Sequence, residues 1–469
     1  MADDAEIANG ASGGVPEIRD ERGDIAPVFL AAIRTAIEAG DAARLRALAS
    51  ELHEADVGDL LEALDPDEQT RLITLLGGDF DFTALTELDE TARARILEEL
   101  PAATVAEGVR ELESDDAVAI LEDLEPEERA EVLANIPAVE RVALARSLEY
   151  PEDSAGRLMQ TEFIAVPPFW SVGQTIDHLR EASDLPEEFY GLFVIDPAHR
   201  LVGTVALDRL LRSGRPTPIA DITDTDPYEV AATDDQEQVA RLFERYNLVA
   251  APVVDDARRL VGIITVDDIV DVIEEEADED IRRLAGVGDE EASDSVMYVA
   301  RSRIPWLLVN VLTAFLAAAV IGLFGATIEQ MVALAALMPI VASMGGNAGT
   351  QAMTVTVRAI ATRDIAGRTA FRVIGREVAV GLLNGVAVAA LVGLGAGLWF
   401  HDVALGVVIG IALVVNLLVA GFVGATIPLV FDRLRIDPAI ASGVVLTAVT
   451  DVTGFFVFLG LAGWWFGLL

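Results

Sequence analysis

The chain has 469 residues, 33 basic against 77 acidic, a formal net charge of −44 and no cysteine. This excludes a disulfide framework and a thiolate metal site, and so acidic a surface repels nucleic acid. All 33 basic residues are arginine, and the four histidines (His53, His178, His199, His401) are too scattered for an imidazole metal centre.

The charge is uneven. From Ile304 onward seven acids are balanced by seven arginines, so the whole excess lies in residues 1–303, with 26 Arg against 70 Asp plus Glu. An acid-rich, lysine-free surface stays hydrated in very high salt and points to a salt-loving host, which accounts for most of the charge.

Residues 1–26 have few large apolar groups and read as a disordered acidic tail. No apolar stretch opens the chain, which argues against a cleaved signal peptide. Residues 27–149 read as a helical repeat domain. Leu60-Leu-Glu-Ala-Leu-Asp-Pro66, Ile96-Leu-Glu-Glu-Leu-Pro101, Ile120-Leu-Glu-Asp-Leu-Glu-Pro126 and Val132-Leu-Ala-Asn-Ile-Pro137 are apolar stripes closed by proline. Short helices repeated in this way stack into a superhelical array, which equally suits a general interaction surface.

From residue 150 to 275 strands alternate with helices, and the unit is duplicated. Phe193-Val-Ile-Asp-Pro-Ala-His-Arg-Leu-Val-Gly203 returns 59 residues later as Pro252-Val-Val-Asp-Asp-Ala-Arg-Arg-Leu-Val-Gly262. This tandem α/β pattern resembles a pair of CBS domains. In the second copy Gly262, Thr265 and Asp268 match the Gly-x-x-Ser/Thr-x-x-Asp element that holds the ribose of adenine nucleotides in many CBS members. The resemblance therefore implies an adenine nucleotide such as ATP at the second copy, or a purely structural dimerisation unit. The first copy has Ala206 and Arg209 at the matching positions, which speaks against a nucleotide there.

Residues 276–303 form an acidic connector. Just before and within it, Asp268, Asp271 and Glu275 share one helical face, and Glu276, Glu279 and Asp280 cluster likewise. Like charges this close weaken a helix unless counter-ions sit between them, and hard carboxylate oxygens suit Mg²⁺ or Ca²⁺. A solvated acidic helix remains the alternative.

Residues 304–469 read as a membrane domain of five helices, with apolar spans near 304–327, 331–360, 379–400, 404–431 and 439–468. Arginines cluster before the first span, between the second and third, and between the fourth and fifth. The positive-inside rule then places the N-terminus in the cytoplasm and the C-terminus outside a plasma membrane. The last span carries Asp451 well inside its apolar run, with Gly443 and Thr447 on the same face. An ionised carboxylate among lipid tails needs water, a cation or a partner, and no Lys or Arg lies on that span. The second span carries Gly345, Gly346 and Asn347, small and uncharged groups that either pack helices closely or expose oxygens to a hydrated cation.

Several phrases then resemble one family: Tyr150-Pro-Glu-Asp-Ser-Ala-Gly-Arg-Leu-Met159, Met344-Gly-Gly-Asn-Ala-Gly349, Asp437-Pro438 and Thr450-Asp-Val-Thr-Gly454. With the order of helical domain, CBS pair, acidic connector and five spans, the chain resembles the MgtE magnesium channels and transporters from about residue 30 to the end. The resemblance implies a homodimeric Mg²⁺ channel in the lipid bilayer, not an enzyme. It assigns Asp451 to the pore, holding hydrated Mg²⁺, with Gly443 and Thr447 beside it and Asp437 at the cytoplasmic mouth. It assigns Asp268, Asp271, Glu276, Glu279 and Asp280 to regulatory Mg²⁺, joined by Asp235, Glu237 and, from the helical domain, Asp116. High cell Mg²⁺ would then hold these faces together and close the pore through the connector as a plug helix. Asn247 stands where some relatives carry an acid, and Val444 where relatives often carry proline. The alternatives are a cation-coupled carrier for Co²⁺ or another divalent ion, and a membrane-anchored Mg²⁺ or nucleotide sensor without transport.

Overall fold

The computed structural model describes residues 17–50, 52–182, 185–186, 189–288, 290, 294–361, 368–434, 436 and 442–467. Two compact units, Met1–Glu276 and Ala277–Leu469, make up the chain.

The first unit opens with short helices: α1 (Pro27–Ala39), α2 (Ala42–Ala49), α3 (Glu54–Glu62), α4 (Pro66–Leu76), α5 (Glu90–Glu99), α6 (Ala102–Val109), α7 (Ser114–Glu122), α8 (Pro126–Asn135) and α9 (Ala138–Ser147). The recurring prolines do more than stop helices. Pro66 and Pro126 begin α4 and α8, and Pro101 and Pro137 are the N-caps of α6 and α9. A first-turn proline loses no intrahelical hydrogen bond, so each stop is also a start. Helices pack on neighbours in sequence and at one remove: α1 on α2 and α4, α6 on α8, α7 on α9. Phe29, Ile33, Leu61, Ile73, Leu85 and Ile120 are wholly buried in their common core.

Of the expected disordered tail, residues 1–16 lie outside the described residues and residues 17–26 are ordered. Arg19 pairs with both Asp56 (Nε–Oδ1 2.8 Å) and Asp59 (Nη2–Oδ2 2.6 Å), and Ile18 and Ile25 pack on the helical core. Two isoleucines and an arginine within reach of α3 suffice to order residues 17–26.

The rest of the unit comprises α10 (Ala155–Leu158), β1 (Ala165–Val166), α11 (Val172–Glu181), β2 (Gly191–Ile195), β3 (Leu201–Ala206), α12 (Leu207–Arg212), α13 (Ile219–Ile222), β4 (Val230–Ala231), α14 (Gln236–Tyr246), β5 (Ala250–Val254), β6 (Leu260–Thr265) and the start of α15 (Val266–Ala285). Its two sheets run β1-β2-β3 and β4-β5-β6. In each the first pair is parallel and the second antiparallel. The sequence repeat is reproduced in register. Val194 faces Gly203 and Val253 faces Gly262, and the ladder slips next to Val194 and next to Val253.

Each sheet borrows backbone from the segment leading into the other copy. Thr204 and Asp224 exchange hydrogen bonds of 3.0 and 2.8 Å, and Ile263 and Gln160 exchange two of 2.9 Å. The two repeated glycines make this possible. A Cβ at Gly203 would lie 2.0 Å from the Asp224 carbonyl oxygen, and one at Gly262 would lie 2.8 Å from that of Gln160. The Tyr150–Met159 phrase serves as a clasp within the same unit. The Ala155 and Gly156 amides donate to Asp234 (2.7 Å) and Ala232 (2.8 Å), while Arg157 donates to the Tyr150 carbonyl (2.7 Å) and pairs with Glu122 of α7 (3.3 Å).

The second unit holds the end of α15, then α16 (Val296–Leu323), α17 (Gly325–Gln330), α18 (Ala333–Ala361), α19 (Arg368–Trp399), α20 (Val403–Arg433) and α21 (Ser442–Trp465). Among the described residues four helices, lying in α16, α19, α20 and α21, are long and apolar enough to cross a membrane, against the five expected. The second expected span, α18, has 29 residues but is diluted by Ser343, Gly345, Gly346, Asn347, Thr350 and Gln351. The connector also differs from a single plug helix. Helical structure runs without a break from Val266 to Ala285 and resumes at Val296 as part of the first long apolar helix.

Helix α20 is central and packs on α18, α19 and α21. Its seam with α19 is built on glycine: a Cβ at Gly381 would meet the Leu417 carbonyl at 2.5 Å, and one at Gly421 that of Glu377 at 2.6 Å. In lipid, where apolar burial gives no drive to associate, such close backbone approach supplies the packing energy.

The Gly203→Ala variant is expected to lose roughly 1–3 kcal/mol of stability, the usual cost of overpacking. Denaturant unfolding of the purified protein, followed through the first unit, measures it, and an unchanged midpoint would contradict the crossed-segment packing.

Candidate functional site

Two groups of acids matter, one in each unit. In the first unit, Asp116 near the start of α7 shares its surroundings with Asp268, Glu113, Asp267 and Asp271. Asp115 is buried beside them, 9% exposed. Burial first, and then the nearby Asp268 carboxylate, push Asp116 up to about 7. Asp115 is raised well above the usual carboxylate range by burial, then by Asp268 and Asp116. Burial raises Asp268 to about 6, although it accepts from the Thr265 hydroxyl at 2.7 Å and amide at 3.2 Å. Asp271 is also raised, by burial and by Glu274 and Asp267. The helical domain thus presses its own acids against those of the CBS pair.

A neighbouring group in the same unit surrounds Glu276. It is raised by burial and by Glu237, Asp235 and Asp153, and it accepts from Gln236 Nε2 at 3.0 Å. Glu275 is raised by burial and Asp271, with Arg93 pulling the other way.

Several expected regulatory acids already have partners. Asp235 caps α14, accepting from the Gln238 amide at 3.4 Å. Glu237 pairs with Arg241, and in the second unit Glu279 pairs with Arg283. Asp280 follows on α15, half-buried. Asn247 ends α14 in the left-handed region, φ 51° and ψ 49°, a conformation asparagine tolerates well. Among the described residues no three His, Asp or Glu side chains gather closely enough to hold a metal ion as they stand.

The sequence reading overlooked Glu113, Asp115, Asp153 and Asp267. Only Glu113 carries a local signal: with Ser114 it opens α7 and meets the CBS segment, Gln160 donating to Glu113 at 2.9 Å and Ser114 Oγ to Glu162 at 2.8 Å.

The nucleotide element is occupied from within. Gly262 is closed over by Met159 and Gln160, and Thr265 and Asp268 bond each other. A cleft of about 110 Å³ adjoins Thr265, lined also by Glu113, Glu162, Asp267, Phe163 and Tyr190.

In the second unit, Asp451 lies midway along α21, half-buried. The ion pairs there include Arg303 with Glu290 and Arg376 with Glu377, and among the described residues no arginine pairs with Asp451. Thr447 back-bonds to the Gly443 carbonyl at 2.9 Å, and Thr450, fully buried, to those of Leu446 (3.0 Å) and Thr447 (3.1 Å). A Cβ at Gly443 would lie 4.0 Å from Met353 Cε of α18 and 3.9 Å from the Leu284 carbonyl oxygen near the end of α15. Gly345 and Gly346 differ: Gly345 packs against Asn416 of α20, whereas a Cβ at Gly346 would meet nothing within 4 Å. Asn347 is exposed and donates weakly to Ser343 at 3.4 Å. Asp437 lies outside the described residues.

Helical domain, CBS pair and a bundle of long apolar helices together define a multi-pass membrane protein. Family models agree: "MgtE intracellular N domain" matches residues 52–153, the CBS domain 155–215 and 219–275, and "Divalent cation transporter" 338–461. The chain is 31% identical to the magnesium transporter MgtE of Bacillus subtilis over 418 residues, 89% of this chain and 93% of that one. It is 38% identical to the magnesium transporter MgtE of Thermus thermophilus over 325 residues, 68% of this chain and 71% of that one. A crystal structure of the cytosolic domain of the Mg²⁺ channel MgtE in complex with ATP is 31% identical, covers 52% of this chain and 99% of that one, and superposes with a TM-score of 0.48. The chain belongs to the MgtE family.

The raised acids set a pH dependence. A carboxyl whose folded-state value lies above its ordinary 3.8 costs stability when ionised, and the cost disappears as pH falls through the folded value. The purified protein without divalent ions is therefore expected to gain melting temperature between about pH 8 and about pH 5. Asp116→Asn should raise the melting temperature at the upper end and flatten the slope, and a parallel profile in the variant would contradict the clustering.

Proposed function

We propose that the chain carries Mg²⁺ across the plasma membrane, with Asp451 holding the hydrated ion. The supporting observation is a half-buried carboxylate on an apolar membrane helix with no arginine of the described residues paired to it. An ionised group there is tolerated only beside water or a cation. Mg²⁺ keeps most of its water, so one carboxylate and a few backbone or hydroxyl oxygens are sufficient. Thr447 keeps its oxygen lone pairs free while its proton goes to Gly443.

Helix α18 crosses the membrane as well in this reading. Its Ser343, Asn347, Thr350, Gln351, Thr354 and Arg358 all lie exposed on the helix. Lipid would not tolerate such a stripe, so a second copy covers it and the chain works as a homodimer with the path at or near that face. Five crossings with arginine-rich connections on one side place the N-terminus and the acidic domains in the cytoplasm and the C-terminus outside.

Cytoplasmic Mg²⁺ regulates the path. The carboxylates around Asp116 and Asp268 repel one another until counter-ions join them. The end of α15 reaches Gly443 through Leu284, so a change in that helix is felt at the mouth of the Asp451 helix. Three carboxylates line the cleft beside Thr265, so ATP would have to enter it as its Mg²⁺ complex.

Asp451→Asn is expected to cut Mg²⁺ uptake at least about tenfold, the change that 1.4 kcal/mol of lost attraction gives. Uptake is measured in cells lacking their own Mg²⁺ importers, at equal membrane amounts, and undiminished uptake would refute the pore role. Millimolar Mg²⁺ should also slow proteolysis of the 268–280 region in the salt where the protein works. Equal cleavage with and without Mg²⁺ would remove the gating claim while leaving transport intact.

A further inference from the structure

The membrane unit buries one amide that the transport reading does not use. Asn416 lies in the middle of α20 and is 0% exposed. Its Nδ2 donates to the Val341 carbonyl of α18 at 2.9 Å. Its Oδ1 is buried with no donor among the described residues. Two glycines leave room for it. A Cβ on Gly345 of α18 would lie 2.3 Å from Nδ2, and one on Gly454 of α21 would lie 2.8 Å from it. Gly345 begins the Gly345-Gly346-Asn347 stretch, and Gly454 lies one turn beyond Asp451.

A leucine at this place would suit lipid-facing or core packing and leave no acceptor unsatisfied. The helix instead keeps a polar group with half its hydrogen bonding unmet, at a point where α18, α20 and α21 meet. Such a group is costly in a membrane interior and marks function by default.

We infer that Asn416 is a positioning residue for the ion path. Its amide fixes α18 against α20 while its bulk spaces α21 from α18. The separation between the Gly346–Asn347 turn and the Asp451 turn is set in this way, and with it the size of hydrated cation that fits between them. Selectivity in such a path depends on the spacing of oxygens, so a change of spacing alters which ion is held. The inference rests on the transport reading for its consequence but not for its geometry.

The absence of cysteine leaves only introduced labels to report, and dilution of the labelled chain with excess unlabelled chain keeps the measured distance within one copy. Thr350→Cys on α18 and Val445→Cys on α21, both exposed, carry nitroxides in the full-length protein in detergent or bilayer. Pulsed electron resonance then gives the α18–α21 distance with Asn416 intact, as Asn416→Leu and as Asn416→Ala. The expected result is a shift or marked broadening of that distance in both variants. In uptake assays at equal membrane amounts, without labels, the half-saturating Mg²⁺ concentration and the Mg²⁺-over-Co²⁺ preference should shift several-fold.

An unchanged distance overturns the inference, whatever uptake does. Unchanged half-saturation and preference, with only the maximal rate lowered, overturn it too, as does failure of both variants to accumulate in the membrane, which would make Asn416 a packing residue alone. If the parent chain moves no Mg²⁺ while the distance shifts, the transport reading fails and the positioning role stands.

Discussion

The constraint on which everything else depends is the cost of a carboxylate within an apolar helix. Asp451 has no arginine of the described residues to neutralise it and is not sealed from its surroundings. A carboxylate so placed needs water, a cation or a polar partner beside it. Thr447 and Gly443 keep its face small and hydroxylic, and α18 presents a run of amides and hydroxyls that lipid would reject. The bundle can afford such a face because its packing is done elsewhere, along the glycine seams of α20 with α19 and α18.

The same electrostatic logic operates in the other unit with the opposite design. Among the described residues of the membrane helices, Glu377 is paired with Arg376 while Asp451 has no arginine, whereas the helical domain and the CBS pair bring many acids to one place and bury some of them. Asp115, Asp116 and Asp268 would each be ordinary on an open surface. Packed together they favour a proton or a cation between them, and this makes a structural contact responsive to solution conditions.

The repeated CBS unit shows how closely sequence and backbone can correspond. Gly203 and Gly262 are required by the crossing of one copy's leading segment over the other's third strand, and even the slip in the ladder recurs at the same place. Divergence begins where the third strand ends. Thr265 bonds Asp268 at the head of α15, while the first copy has Ala206 and Arg209 there and ends in the short α12.

The order of domains, the duplicated strands, the acid on the last span and its companions on one helix face were all determined by the sequence alone, because periodicity, repeats and the lipid penalty act on local strings. The boundaries were less legible. Residues 17–26 are ordered by Arg19 reaching Asp56 and Asp59, a contact about forty positions distant that no local pattern announces. Prolines read as stops turned out also to start helices. Only the tertiary structure buried Asp115, gave Glu237 and Glu279 to arginines, and placed Asn416 between Gly345 and Gly454. Each of these depends on which helix packs against which, and that is decided by the burial of whole surfaces rather than by any single stretch of chain.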